Sequence, residues 1–145
     1  MQIKLLGIKS VASAKGTAEV NQGTLVRYLS EICWFPSAAL NSNIRWEQIG
    51  PSSARANIEV GGTKASGEFF FDDNGMIRSF EAMRYGEFEG KSSLEKWVVN
   101  MTHTAVFHGI RIPDQSAVTW KLTAGDFTWL DLRITAIDYN IPELF

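Results

Sequence analysis

The sequence predicts an α+β domain: a curved antiparallel β-sheet, a half-barrel-like meander, packed on one main helix near the N-terminus. Three observations carry this expectation. Apolar residues at helical spacing occur once, ahead of Pro36. After Pro36 the period changes to two, and Gly- and Asn-rich turns punctuate the chain. Nine Phe, five Trp and three Tyr supply apolar groups to both faces of several strands, as in Phe69-Phe70-Phe71. Such a sheet must curl around something, dimerise or bind a ligand. The 145 residues suit a single domain, 1–145, and a chain of that length needs no disulfide or metal to support its core.

Ile3 to Ala14 reads as a first strand, from its β-branched and apolar residues up to Gly16. Asn21 to Trp34 reads as the helix. Leu25, Leu29, Ile32 and Cys33 fall along one face with Tyr28 beside them, and Asn21 offers a side-chain oxygen to the free N–H groups of the first turn. Pro36 ends it, because it lacks an N–H and restricts Phe35. Ile44–Ile49 and Ala54–Val60 follow as short strands across Gly50-Pro51-Ser52-Ser53, and Gly61-Gly62 turns the chain into Thr63–Phe71. Asp72-Asp73-Asn74-Gly75 is the clearest hairpin signal, since Asn-Gly tolerates the positive φ of a tight turn. Met76–Tyr85 answers it. Gly86–Ser93 reads as a polar loop, Leu94–Phe107 as a strand, and Ile110–Ile112 as a short segment between His108-Gly109 and Pro113-Asp114. Val118–Leu122 and Phe127–Tyr139 form a last hairpin across Ala124-Gly125-Asp126.

Charge excludes several function classes. The formal net charge is −2 and the basic residues are scattered, so there is neither the basic stripe of a nucleic-acid binder nor a polybasic membrane patch. No apolar run approaches the length of a membrane span. Met1–Ala14 is interrupted by Lys4 and Lys9 and is too short for a secretory core, so a soluble, cytoplasmic protein is expected. Cys33 is the only cysteine, which precludes an intrachain disulfide and any C-x-x-C pair.

No catalytic signature emerges, no metal site and no cofactor. Cys33, on the apolar helix face, reads as a small hydrophobe. His103 and His108 lie on opposite strand faces, without a third ligand, and read as surface or hydrogen-bonded histidines. Asp72, Asp73 and Asn74 lack the distal Glu of a calcium loop and read as a turn. Asn100-Met101-Thr102 matches a glycosylation acceptor but reads as strand, and the glycines form no phosphate loop. Arg27 and Glu31, four apart on the helix, read as an ion pair. The alternative turns Glu31 toward the sheet beneath Trp34, to meet Arg84 or Arg45. The candidate ligand-binding residues are Glu31, Trp34, Phe35, Trp46, Phe69, Phe71, Arg84, Tyr85, Trp97 and Trp120. These aromatics, with Trp129, either line a cavity or fill a dry core.

The run from Gly23 to Leu40 (GTLVRYLSEICWFPSAAL) resembles the signature of a family of uncharacterised bacterial proteins, an R-Y-L-x-E-x-x-W-x-P helix followed by alternating strands. Ile44–Glu47, Ser53–Ala56, the Phe69–Gly75 hairpin, Arg84-Tyr85, Phe107–Pro113, Trp120 and Ile134–Tyr139 continue the likeness over nearly the whole chain. The resemblance implies fold and element order rather than chemistry. A more distant similarity is to lipoprotein-carrier half-barrels, in which a curved sheet wraps helices and holds acyl chains. Members of the first family are generally longer at the amino end, which would leave a sheet edge open to a second copy. The expected function is a non-enzymatic module that binds an apolar or amphipathic small molecule or lipid between sheet and helix. The alternative is a structural or interaction protein that homo-oligomerises through an apolar sheet face or edge. A hydrolase or isomerase using Glu31 with His103 or His108 ranks third.

Overall fold

Every strand of the main sheet pairs with its neighbour in sequence. The structure, a computed structural model, describes the backbone of residues 2–5 and 9–13 and all of residues 16–140. Two short strands, β1 (Gln2–Leu5) and β2 (Lys9–Ser13), form an antiparallel pair of their own. The single strand expected over Ile3–Ala14 is therefore two, with residues 6–8 and 14–15 outside the described region. Strand propensity is the same for one long strand and for a hairpin, so the reversal left no signal. After helix α1 (Ala18–Glu31) and a 3-10 turn (Pro36–Leu40) come β3 (Ile44–Gly50), β4 (Ser53–Val60), β5 (Thr63–Phe71), β6 (Ile77–Phe88), β7 (Lys91–Phe107), β8 (Ile110–Leu122) and β9 (Gly125–Arg133). They form one seven-stranded antiparallel meander in the order β3 to β9.

The helix starts earlier than its apolar face suggests. Thr17 is the N-cap, its hydroxyl accepting from Val20 N–H at 3.2 Å, and Asn21 already lies in the first turn, with its N–H on Thr17 O at 2.9 Å. Glu19 sits in the first turn, where the helix dipole favours an acid. Replacing the cap, Thr17→Ala, is expected to cost about 1 kcal/mol, read as a fall in Tm of roughly 3 °C by calorimetry. An unchanged Tm would place the cap elsewhere. At the other end the helix stops at Glu31, before Pro36. Trp34 and Phe35 donate to Glu31 O and Ile32 O in tightened turns, and Pro36 opens the 3-10 segment rather than closing the helix.

The inner face of the sheet carries rows of cross-strand partners. One runs Ala54, Phe69, Phe80, Val99, Val118 and Leu130; the next runs Ala82, Trp97, Trp120 and Phe127. Phe69 and Phe80 are fully buried, with ring centroids 4.8 Å apart, and Val26 and Leu29 of the helix pack into the same core. The outer face across β3–β7 is charged rather than apolar: Arg55 bonds Glu68 (2.8 Å) and Glu47 (3.3 Å), and Lys96 bonds Glu81 (2.6 Å).

The sheet is not uniformly closed. β5 and β6 pair only from Glu68↔Glu81 to Phe71↔Ile77, whereas β4–β5 and β6–β7 pair along their full facing lengths. Where β5 leaves β6, the helix takes over. The Gln22 side-chain amide donates to Met83 O at 2.9 Å and accepts from Tyr85 N–H at 3.5 Å, doing for β6 what one peptide of a neighbouring strand would do. Arg84 Nε donates to Gly23 O at 3.2 Å beside it.

Two further expectations are corrected. The polar stretch 86–93 is not a loop: β6 and β7 run to Phe88 and from Lys91, and reverse over Glu89 and Gly90, both at positive φ (51° and 75°). Pro113 does not end a strand either. β8 runs through it, and the missing ladder donor coincides with register shifts in β7 at Met101/His103 and His103/Thr104. β9 ends at Arg133, and residues 134–138 continue outside strand structure, with Ile134 N–H on Asp114 O at 2.7 Å.

Candidate functional site

Widths decide where an opening must lie. Seven strands span roughly 29 Å from edge to edge, and one helix with its side chains covers about 10–12 Å. The helix sits on β5 and β6 and touches β4, so the inner face of β7–β9 extends past its cover. A recess of about 210 Å³ lies there. The C-terminal half of α1 and the turn after it supply Arg27, Ser30, Glu31, Cys33 and Trp34 to its rim and roof. Arg84 comes from β6, Trp97, Val99 and Met101 from β7, Ser116 and Val118 from β8, and Trp129, Leu130 and Leu132 from β9.

The roof is tied down at its Trp34 end. Trp34 Nε1 donates to Pro113 O at 3.0 Å, and Trp34 O accepts from the Tyr139 hydroxyl at 2.9 Å. Phe35 meets the Tyr139 ring edge-on at 6.1 Å. The irregular segment after β9 thereby holds the end of the helix over the sheet.

Arg84 is the charged group that β6 contributes, and it borders both this recess and the open groove along Thr17–Thr24. Its guanidinium stacks on Trp97 at 4.9 Å and on Trp120 at 5.5 Å, contacts that favour a cation over an aromatic face. Burial, and then the nearby Arg27 charge, push it below the ordinary arginine range. Its cross-strand neighbour is Glu95, yet among the described residues no carboxylate forms an ion pair with Arg84. Glu31 Oε1 instead takes Arg27 Nε at 2.5 Å, so the helix ion pair forms as expected and Glu31 meets neither Arg84 nor Arg45. Trp97, 4 % exposed, has an Nε1–H with no acceptor among the described residues.

The ten candidate residues divide. Glu31, Trp34, Arg84 and Trp97 come together around the recess, and Trp120 lies against Arg84 behind Trp97. Phe69 is solid core between Trp46 and Phe80, and Phe71 packs against that core. Trp46 is exposed on the edge strand β3, with its Nε1 on Ala39 O at 2.9 Å. Phe35 is exposed against Tyr139, and Tyr85 lines grooves on the far side of the helix. Aromatics thus border the recess at Trp34, Trp97 and Trp129 and fill the core at Phe69 and Phe80. Met101, Leu130 and Leu132 were not singled out in the sequence, where they read only as alternate residues of strands.

Other chemistry does not assemble. His103 Nδ1 lies 2.6 Å from Asp114 Oδ1, and His108 Nε2 lies 2.9 Å from Asp138 Oδ1; these are two separate hydrogen-bonded pairs, and neither includes Glu31. Among the described residues no cluster of His, Cys, Asp or Glu is arranged to hold a metal ion, and no helix is long and apolar enough to cross a membrane. Asp72 Oδ1 accepts from Asn74 N–H and Met76 N–H, which uses it in the turn. A larger groove of about 930 Å³ runs open along the sheet by the β5–β6 split, but its charges are largely paired with one another. The smaller recess differs in having mainly apolar walls, and among the described residues no carboxylate pairs with its Arg84.

Residues 1–139 match the family of unknown function DUF6920, and the chain belongs to that family. Among curated proteins and among solved structures, no match to the chain is found.

Proposed function

We propose that this DUF6920 member is a non-enzymatic module that binds an apolar or amphipathic small molecule between its sheet and its helix. One observation carries the reading: an aromatic and aliphatic recess of about 210 Å³ at the flank of the sheet that the single helix leaves uncovered. A cavity of about 150 Å³ accepts one benzene, so the recess suits a single ring or a short chain with a polar end. Close packing is the rule inside proteins, and an apolar recess kept open next to a half-buried cation departs from it.

Native mass spectrometry of the purified chain tests this, first gently and then under denaturing conditions. The expected result is a small retained mass that is lost on denaturation. Met101→Trp, which places a large ring in the recess, is expected to abolish the retained mass while shifting Tm by only a few degrees. A retained mass that survives Met101→Trp would put the ligand elsewhere.

A second reading has its own observation. Phe127 and Trp129 are exposed on β9, an edge strand of the sheet, and such an edge offers backbone groups and apolar surface to a second copy. A clean apo mass at a discrete dimer would favour it.

A further inference from the structure

We infer that the recess selects an apolar monoanion, a carboxylate on an aromatic or short aliphatic body, with Arg84 receiving the carboxylate and Met101, Leu130 and Leu132 enclosing the body. The inference deepens the binding reading above and rests on it.

Charge counting within the recess leads there. Three ionic side chains line it: Arg27, Glu31 and Arg84. Arg27 and Glu31 neutralise each other at 2.5 Å, and no carboxylate among the described residues pairs with the remaining guanidinium. Arg84 is half-buried between the recess and the open groove beside Glu19 and Glu87, and its only hydrogen bond among the described residues is from Nε to the Gly23 carbonyl. The terminal nitrogens of the fork have no acceptor among the described residues. Trp97, which also lines the recess, carries an Nε1–H that meets no acceptor among the described residues. A half-buried cation with no counter-ion among the described residues gains from an anion placed beside it, and a carboxylate is the group whose two oxygens match the guanidinium fork. One surplus positive charge matches one negative charge, so a monoanion balances the site and a dianion does not. The stacked tryptophans hold the fork in place before a ligand arrives, which reduces the ordering cost on binding. Glu95 is the rival acceptor. It stands opposite Arg84 on β7 without an ion pair, so it is the residue whose removal separates a ligand role from a structural one.

The test uses two isosteres, 3-phenylpropanoate and its neutral amide 3-phenylpropanamide, titrated into the intact chain and followed by tryptophan fluorescence and calorimetry. The wild type is expected to favour the acid by roughly 10- to 100-fold, the range for a hydrogen bond to a charged group. Arg84→Met should reduce acid affinity to that of the amide and leave the amide nearly unchanged, whereas Glu95→Gln should preserve the acid preference. If the wild type binds acid and amide equally, the anion inference fails while the apolar recess stands. If it binds neither, both fail. A preference that survives Arg84→Met, or is lost in Glu95→Gln, assigns the anion to another group and overturns the inference. The acid-to-amide ratio of the wild type decides the matter even if Arg84→Met does not fold.

Discussion

Gly67→Ala is expected to lower stability by roughly 3 kcal/mol, the upper end of the overpacking range, and to reduce Tm by about 6 to 12 °C. Gly67 lies on β5 where that strand begins to part from β6. A Cβ built there overlaps Phe80 Cζ and Cε2 outright and stands 3.2 Å from Cε1. Phe80 cannot retreat, because it is fully buried and wedged between Phe69 at 4.8 Å and Trp97 at 6.3 Å. Glycine-to-alanine changes usually stabilise slightly by restricting the unfolded chain, by about 0.4–1 kcal/mol, and the overlap outweighs that gain several-fold. Phe80→Leu shortens the ring that causes the overlap. The double variant should therefore be more stable than the two single losses predict, with a coupling of about 1 kcal/mol or more. Denaturant titration of the four proteins measures it, and strictly additive losses would show that the ring is not the obstacle.

Alkaline pH should destabilise the protein through one thiol. Cys33 is buried on the inner side of the helix end, and burial pushes its thiol up to about 12. In the unfolded chain the thiol ionises near ~8.5. Across the interval the unfolded state holds fewer protons than the folded one, so unfolding is favoured as pH rises. The contribution of the protonated thiol is complete below the unfolded value and is lost as pH passes the folded one. The expected slope is up to about 1.4 kcal/mol per pH unit between pH 9 and 11, against a much flatter profile for Cys33→Ala. Parallel pH profiles for the two proteins would mean that Cys33 reaches water in the native state. In the same native state the thiol should resist aromatic disulfide reagents at pH 8, where its thiolate is scarce.

Strong local chemistry was readable in advance, and long-range arrangement was not. Thr63–Phe71 is bounded in the structure as expected, because Gly61-Gly62 and Asp72–Gly75 fix both of its ends. Glu89-Gly90 was missed because a non-glycine residue at positive φ serves the turn, and because the strands on either side carry polar residues past the core. Asn21 displaced Thr17 as the expected cap because the apolar face of the helix starts a turn after the helix does. In the site, Trp34, Arg84 and Trp97 were recognisable as unusual residue types on predicted elements. Their partners Leu130 and Leu132 lie about a hundred residues from the helix that roofs them, and only the curvature and register of the sheet bring them there. The isolation of Arg84 from Glu95 is likewise a matter of side-chain direction, which no spacing rule supplies.

The strict neighbour-to-neighbour order of β3 to β9 also bears on how the chain acquires its structure. Each hairpin closes over a few residues, so no strand waits for a distant partner, and loop-closure entropy stays small at every step of sheet growth. The exception is the helix. It emerges from the ribosome well before β5 and β6, the strands that bury Val26 and Leu29, so at typical synthesis rates its apolar face waits several seconds for cover. Growth of the sheet from β3 toward β9 ends that interval, and the Tyr139 contact at Trp34 can form only once β9 has been synthesised. A truncation that removes Tyr139 would thus leave a sheet already built, with its helix end unlatched.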